Sequence, residues 1–160
     1  MDLLTNFPFI ASLIAIFFAQ FVKVPIQYIA LKRLDWTLLT STGGMPSSHS
    51  AAVTALATGV ALETGADSAV FAVSAIFAII TMFDATGVRR QAGEQAAVLN
   101  RLVSDFNTFL KEAKKWEENG ERQKQIKLKE LLGHKPIEVF FGGLTGIFIA
   151  LLLHVFIYGV

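Results

Sequence analysis

The stretch FPFIASLIAIFFAQFVKVPIQYIAL, residues 7–31, decides the fold class. It is longer than the roughly 20 apolar residues a helix needs to cross a bilayer. Its flank carries Asp2 and no Lys or Arg, unlike a secretory leader, so it reads as a retained helix. Its second half holds Gln20, Lys23 and Gln27 at spacings of three and four, which puts them on one helix face. An ionisable side chain inside such a run marks a polar site within a bundle, or else snorkels to the headgroups. The two glutamines beside Lys23 favour the bundle interior.

Three more apolar stretches follow, from Ser50 to about Leu62, from about Ser68 to Phe83, and from about Ile137 to Tyr158. The last is long enough to span. The third is slightly short and the second clearly so, which suits a helix whose start lies in a protein-lined cavity. Composition agrees with this picture. The chain has 160 residues, 53% apolar and 17% charged, whereas soluble domains carry about 25% charge. We expect one all-α integral membrane domain over residues 1–160, with about four transmembrane helices. A net charge of +1 excludes the strong basic excess of a nucleic-acid binder. With no cysteine, disulfide scaffolds, thiolate metal sites and cysteine nucleophiles are excluded.

One extended polar segment separates the third and fourth stretches. Residues 89–135 hold eleven of the fourteen basic residues. Within them Leu99, Val103, Phe106, Leu110 and Ala113 recur at helical spacing, widened by Leu102, Phe109 and Trp116. Asn119-Gly120 breaks the pattern, and a second short helix from about Glu121 to Leu132 ends at Gly133. This predicts an amphipathic helical hairpin, about residues 91–132, lying on the membrane surface. Lys32, Arg33 and the basic segment fall on one side of a four-helix arrangement. The N-terminus and the Glu63–Asp67 turn, without Lys or Arg, fall on the other. The positive-inside rule puts the basic side in the cytoplasm.

Four polar clusters converge on that side. Lys23 is the first. Gly43-Gly44-Met45-Pro46-Ser47-Ser48-His49-Ser50 precedes the second helix. Its glycines allow close backbone approach, its serines supply hydroxyls and a cap, and the helix N-terminus attracts anions. His49 there suits proton donation to a phosphate leaving group. The third cluster, Asp84 to Arg90, ends in an arginine pair suited to bidentate phosphate binding, or to membrane anchoring. The fourth, Gly133-His134-Lys135-Pro136-Ile137-Glu138, opens the last helix. His134 and Glu138 lie one turn apart, so the carboxylate can orient the imidazole. Together these are parts for phosphoryl transfer without a metal or other cofactor. Asp84 and Glu94 are weak candidates for a metal site. Gly142 and Gly146 form a small-xxx-small face for close helix packing, within the bundle or in a homodimer. No Gly-x-Ser-x-Gly elbow supports a serine hydrolase.

These residues resemble the motifs of the type 2 phosphatidic acid phosphatase superfamily, which includes vanadium haloperoxidases, and more narrowly its divergent bacterial branch. Lys23 matches the first-motif lysine. Pro46, Ser47 and His49 match a Pro-Ser-Gly-His motif, with Ser48 in the glycine position. Arg89 or Arg90 matches the third-motif arginine, and His134 and Glu138 its histidine and acid. The resemblance implies His134 as nucleophile, Glu138 as its orienting group and His49 as general acid. Lys23, Ser47, Ser48 and an arginine would hold the phosphate, with no metal. Three departures stand out. No Arg-Pro follows Lys23 at the family's spacing, the acid is Glu rather than Asp, and more than forty residues separate Arg90 from His134. The expected function is hydrolysis of a phospholipid phosphate monoester, such as phosphatidic acid or phosphatidylglycerol phosphate, in the cytoplasmic leaflet of a bacterial-type plasma membrane. The alternative is an inactive lipid-phosphate binding or transport protein. The expected partners are membrane lipids.

Overall fold

A computed structural model describes residues 5–32, 36, 39, 43–113 and 133–159. Five helices make up the described chain: α1 (Phe7–Leu31), α2 (Ser48–Thr64), α3 (Ala69–Thr86), α4 (Val88–Ala113) and α5 (Pro136–Tyr158). Their starts follow local chemistry. Asn6 Oδ1 accepts from the Phe9 N–H at 2.9 Å, Ser47 Oγ from the Ser50 N–H at 3.3 Å and Ser68 Oγ from the Phe71 N–H at 3.1 Å. Pro8 and Pro136 sit in the first turns of α1 and α5, where a missing N–H costs nothing. Lys32 ends α1 in the left-handed conformation, its N–H donating to the Tyr28 carbonyl at 2.8 Å.

The centre of the bundle is α2, which packs against α1, α3 and α5. Its inner surroundings are small. Ala11, Ala15 and Ala19 of α1 recur every four residues against Ala51 and Ala55 of α2 and Ile149 and Ala150 of α5. The same α1 row continues to Lys23, which is 2% exposed. The large apolar side chains point outward instead: Phe21 is 63% exposed, Phe83 77% and Phe156 87%. A soluble protein buries such residues; a chain in lipid turns them to the acyl chains and packs its helices through small residues. Among the described residues, α1, α5 and the segment containing α3 are long and apolar enough to cross a bilayer. The expected all-α membrane fold is the fold observed. The expected count of four crossings turns on α2, which at 17 residues is shorter than a full span.

Two boundaries differ from the sequence reading. The helix expected from Ser50 begins at Ser48, because Ser47 is the cap. The amphipathic arm begins at Val88 rather than near residue 91, so Asp84 belongs to α3 and both arginines to the first turn of α4. Gly87 alone separates the two helices. The second arm of the expected hairpin, residues 121–132, lies outside the described residues. At the end of the bundle away from these clusters, His154 packs its ring 5.6 Å from Phe7 and 4.9 Å from Tyr158, a packing role.

The closest helix contact is between α2 and α5. A methyl at Gly146 would collide with the Ala51 carbonyl and the Thr54 hydroxyl, while one at Gly143 would sit 3.5 Å from Thr54 Cγ2. Gly146→Ala should therefore destabilise by about 1–3 kcal/mol through overpacking. Gly143→Ala should unfold close to wild type. Thermal unfolding of both variants in detergent checks this contrast.

Candidate active site

The site forms where the starts of α2, α4 and α5 meet the end of α3. The loop before α2 turns through Gly44 at φ +89° and a cis Met45–Pro46 bond. Ser47 is fully buried. Its Oγ accepts from the Ser50 hydroxyl at 3.1 Å, and its N–H donates to the Glu138 carbonyl at 2.9 Å. Gly142 lies directly against the Ser47 backbone, where a Cβ would not fit. One turn of α5 thus fixes the start of α2. That start leaves helix N–H groups and the exposed His49 ring at the site. Ser48 is also buried, at 6% exposure. The hydroxyl of Ser47 is engaged in capping, since its oxygen accepts from both the N–H and the hydroxyl of Ser50.

His134 is 2% exposed and doubly anchored. Its backbone N–H donates to the Ala85 carbonyl of α3 at 3.0 Å. Its Nδ1 lies 3.1 Å from Glu138 Oε2, which also accepts from the Lys135 N–H at 3.1 Å. The carboxylate selects the tautomer with the proton on Nδ1. That leaves Nε2 with a bare lone pair. Nε2 is buried and forms no hydrogen bond among the described residues.

The two described ends of the stretch between the arginines and His134 meet. Gly133 adopts φ +87° and packs against the backbone of Arg89 and Arg90, where any Cβ would collide. His134 is thereby carried to α3 and α4 despite its distance in sequence. Together His49, Asp84, Arg89, Gly133 and His134, with Thr81 and Ala85, line one pocket. The rings of His49 and His134 are 6.2 Å apart. His49 feels the charges of Lys23 and Arg89, and Lys23 that of Glu138, so the predicted residues share one electrostatic neighbourhood.

The two arginines part company. Arg89 lines the pocket and pairs with Asp84, Nε to Oδ2 at 2.6 Å. Arg90 pairs along α4 with Glu94 at 3.0 Å. Asp84 and Glu94, weak metal candidates by sequence, thus each bind an arginine. Asp84 and Thr81 are the pocket residues that motif reasoning missed as such. The available signal was Gly87, whose break swings Arg89 back toward Asp84. Gln20 does not stop at Lys23: its Nε2 donates to the Leu39 carbonyl at 3.0 Å, tying α1 to the connection before α2.

Comparison with known proteins fits this geometry. The family described as "Divergent PAP2 family" matches residues 4–149. The chain belongs to the divergent PAP2 family. A relative in Bacillus subtilis (strain 168), "Uncharacterized membrane protein YuiD", is 71% identical over 156 residues, covering 98% of this chain and 99% of its own. No solved structure matches the chain. The matched region contains every motif that meets at the pocket, including the insertion between Arg90 and His134.

Gly133→Ala tests the closure. It adds a left-handed strain and a backbone collision, and should destabilise by about 1–3 kcal/mol. Gly159→Ala shares the left-handed φ, at +71°, but meets nothing within 4 Å. It should lower the unfolding midpoint less, and the difference between the two variants isolates the packing of Gly133 on α4.

Proposed function

We propose that this membrane protein is a metal-independent phosphatase acting on a lipid phosphate monoester. The observation that carries the reading is the buried His134 imidazole, held at Nδ1 by Glu138, with Nε2 bare in a pocket shared with His49 and Arg89. A histidine with an oriented ring and an unoccupied nitrogen is an activated nucleophile. In the proposed reaction Nε2 attacks phosphorus and the bond from phosphorus to the lipid oxygen breaks. His49 gives its proton to that leaving oxygen. Water then attacks the phosphohistidine, with His49 accepting its proton, and releases inorganic phosphate and free His134. Lys23, Arg89 and the α2 N-terminus supply positive potential for the phosphate oxygens. The basic residues flanking the site favour an orientation toward the cytoplasm. There the site would meet inner-leaflet lipids of the phosphatidic acid or phosphatidylglycerol phosphate type.

A second reading is a lipid-phosphate binding or transport protein without turnover. It is favoured by the Asp84 carboxylate on Arg89, which competes with phosphate for that guanidinium.

Phosphate release from a panel of lipid phosphates in detergent, with EDTA present, separates the two. The phosphatase reading expects release by the wild type, background release by His134→Ala, and a rate lowered about 10²–10⁴-fold by His49→Ala, with all variants folded. Release that persists in His134→Ala overturns the phosphohistidine route. Binding of lipid phosphate with no release from any substrate overturns the enzyme. For an active enzyme, Asp84→Asn should strengthen product inhibition by inorganic phosphate up to about fivefold, the scale of a partly exposed ion pair.

A further inference from the structure

The sides of α4 face three different surroundings. At 100° per residue, Leu99, Leu102, Val103, Phe106, Phe109 and Leu110 share an arc of about 120°. Opposite them lie Arg90, Glu94, Arg101 and Asp105, all exposed. Between the two arcs runs a flank that starts at Arg89 and continues through Gly93 and Ala96. These last two are buried, Ala96 at 8% exposure. The flank is therefore the side of α4 turned to protein, and the charged arc is the side turned to water. The apolar stripe belongs to neither: Leu102 is 64% exposed, Phe106 60% and Phe109 65%.

We infer that this stripe docks on the lipid bilayer itself. In this arrangement α4 lies in the headgroup layer on the site's side, Leu102, Phe106 and Phe109 reach the acyl chains, and Arg89 sits at the depth of lipid phosphates. Three observations choose lipid over another occupant. The first turn of α4 is pinned at the membrane boundary, because Gly133 packs on it beside the ends of two spanning helices. Exposed apolar side chains also lead up to α4 along α3, where Ile80 and Phe83 are exposed just before Gly87. Close helix contacts in this molecule use alanine and glycine, and the stripe has neither. The charges of α4 nearly balance, four basic against three acidic, so apolar insertion rather than charge attraction holds the helix down. The same placement gives α4 a second role at the pocket, since the helix anchored in lipid is the one that presents Arg89. The inference goes beyond the phosphatase reading and is tested without any activity.

The absence of cysteine makes the test direct. Single variants Leu102→Cys, Phe106→Cys, Arg101→Cys and Asp105→Cys carry a nitroxide in the full chain, reconstituted in phosphatidylethanolamine–phosphatidylglycerol vesicles. Collision with oxygen, which partitions into lipid, is compared with collision with a water-soluble nickel chelate. At Leu102 and Phe106 oxygen contact should exceed nickel contact, with the order reversed at Arg101 and Asp105. Nickel contact dominating at all four sites places α4 in water and overturns the inference. Labels at Leu102 and Phe106 shielded from both reagents mean that protein, a second copy or another part of the chain, covers the stripe, and overturn it equally. The labelled residues are exposed, and matching unfolding midpoints in detergent verify that each variant is folded.

Discussion

The constraint on which the structure depends is how closely the backbones of α2 and α5 approach. Gly142 rests on Ser47 and Gly146 on Ala51 and Thr54, and the Thr54 hydroxyl donates to the Gly143 carbonyl at 2.9 Å. In lipid, no hydrophobic effect drives helices together, so contact area and interhelical hydrogen bonds must do it. The glycines allow both. They also set the depth at which the loop before α2 meets the first turn of α5. The Ser47 bond to the Glu138 carbonyl follows, and with it the approach of His49 to His134. The pocket is thus a product of membrane packing.

Charge is distributed with the same economy. Glu138 accepts from the Lys135 N–H and holds the His134 ring, so one carboxylate serves a helix start and a histidine. Asp84 and Glu94 each neutralise one arginine, but at half-exposed positions where an ion pair contributes little to stability. Their effect is on direction: Asp84 draws the Arg89 side chain into the pocket, and Glu94 draws that of Arg90 along α4. Lys23 lies at the end of an alanine row, so the regular packing of α1 on α2 carries its side chain beside Gly44 in the loop before α2.

Much of this was legible in the residues. The apolar runs, the helix caps and the turn spacing of His134 and Glu138 are local features, and local spacing predicts them. Lys23 stood out because a lysine in an apolar helix needs a reason. The gathering of the third motif was expected from the resemblance, but its means was not legible: no periodicity reports that Gly133 packs on the Arg89–Arg90 backbone. The break at Gly87 could have been read as the end of α3. That would have assigned the arginines to α4 and separated their roles. Which face of Gly142 and Gly146 is used was also open, because a small-xxx-small pattern carries no address. In the fold those glycines lie against α2.

A bundle built with alanine and glycine inside and phenylalanine outside has an unusual mutational geometry. In a soluble protein, drift begins at the polar surface and the interior resists loss of volume. Here the outward residues need only remain apolar, and one large side chain serves lipid as well as another. The inward residues are already near the smallest available, so almost any replacement adds volume where none is free. Divergence should therefore run from the lipid face inward and halt at the small residues. Their pattern would outlast that of any bulky side chain in the protein's history.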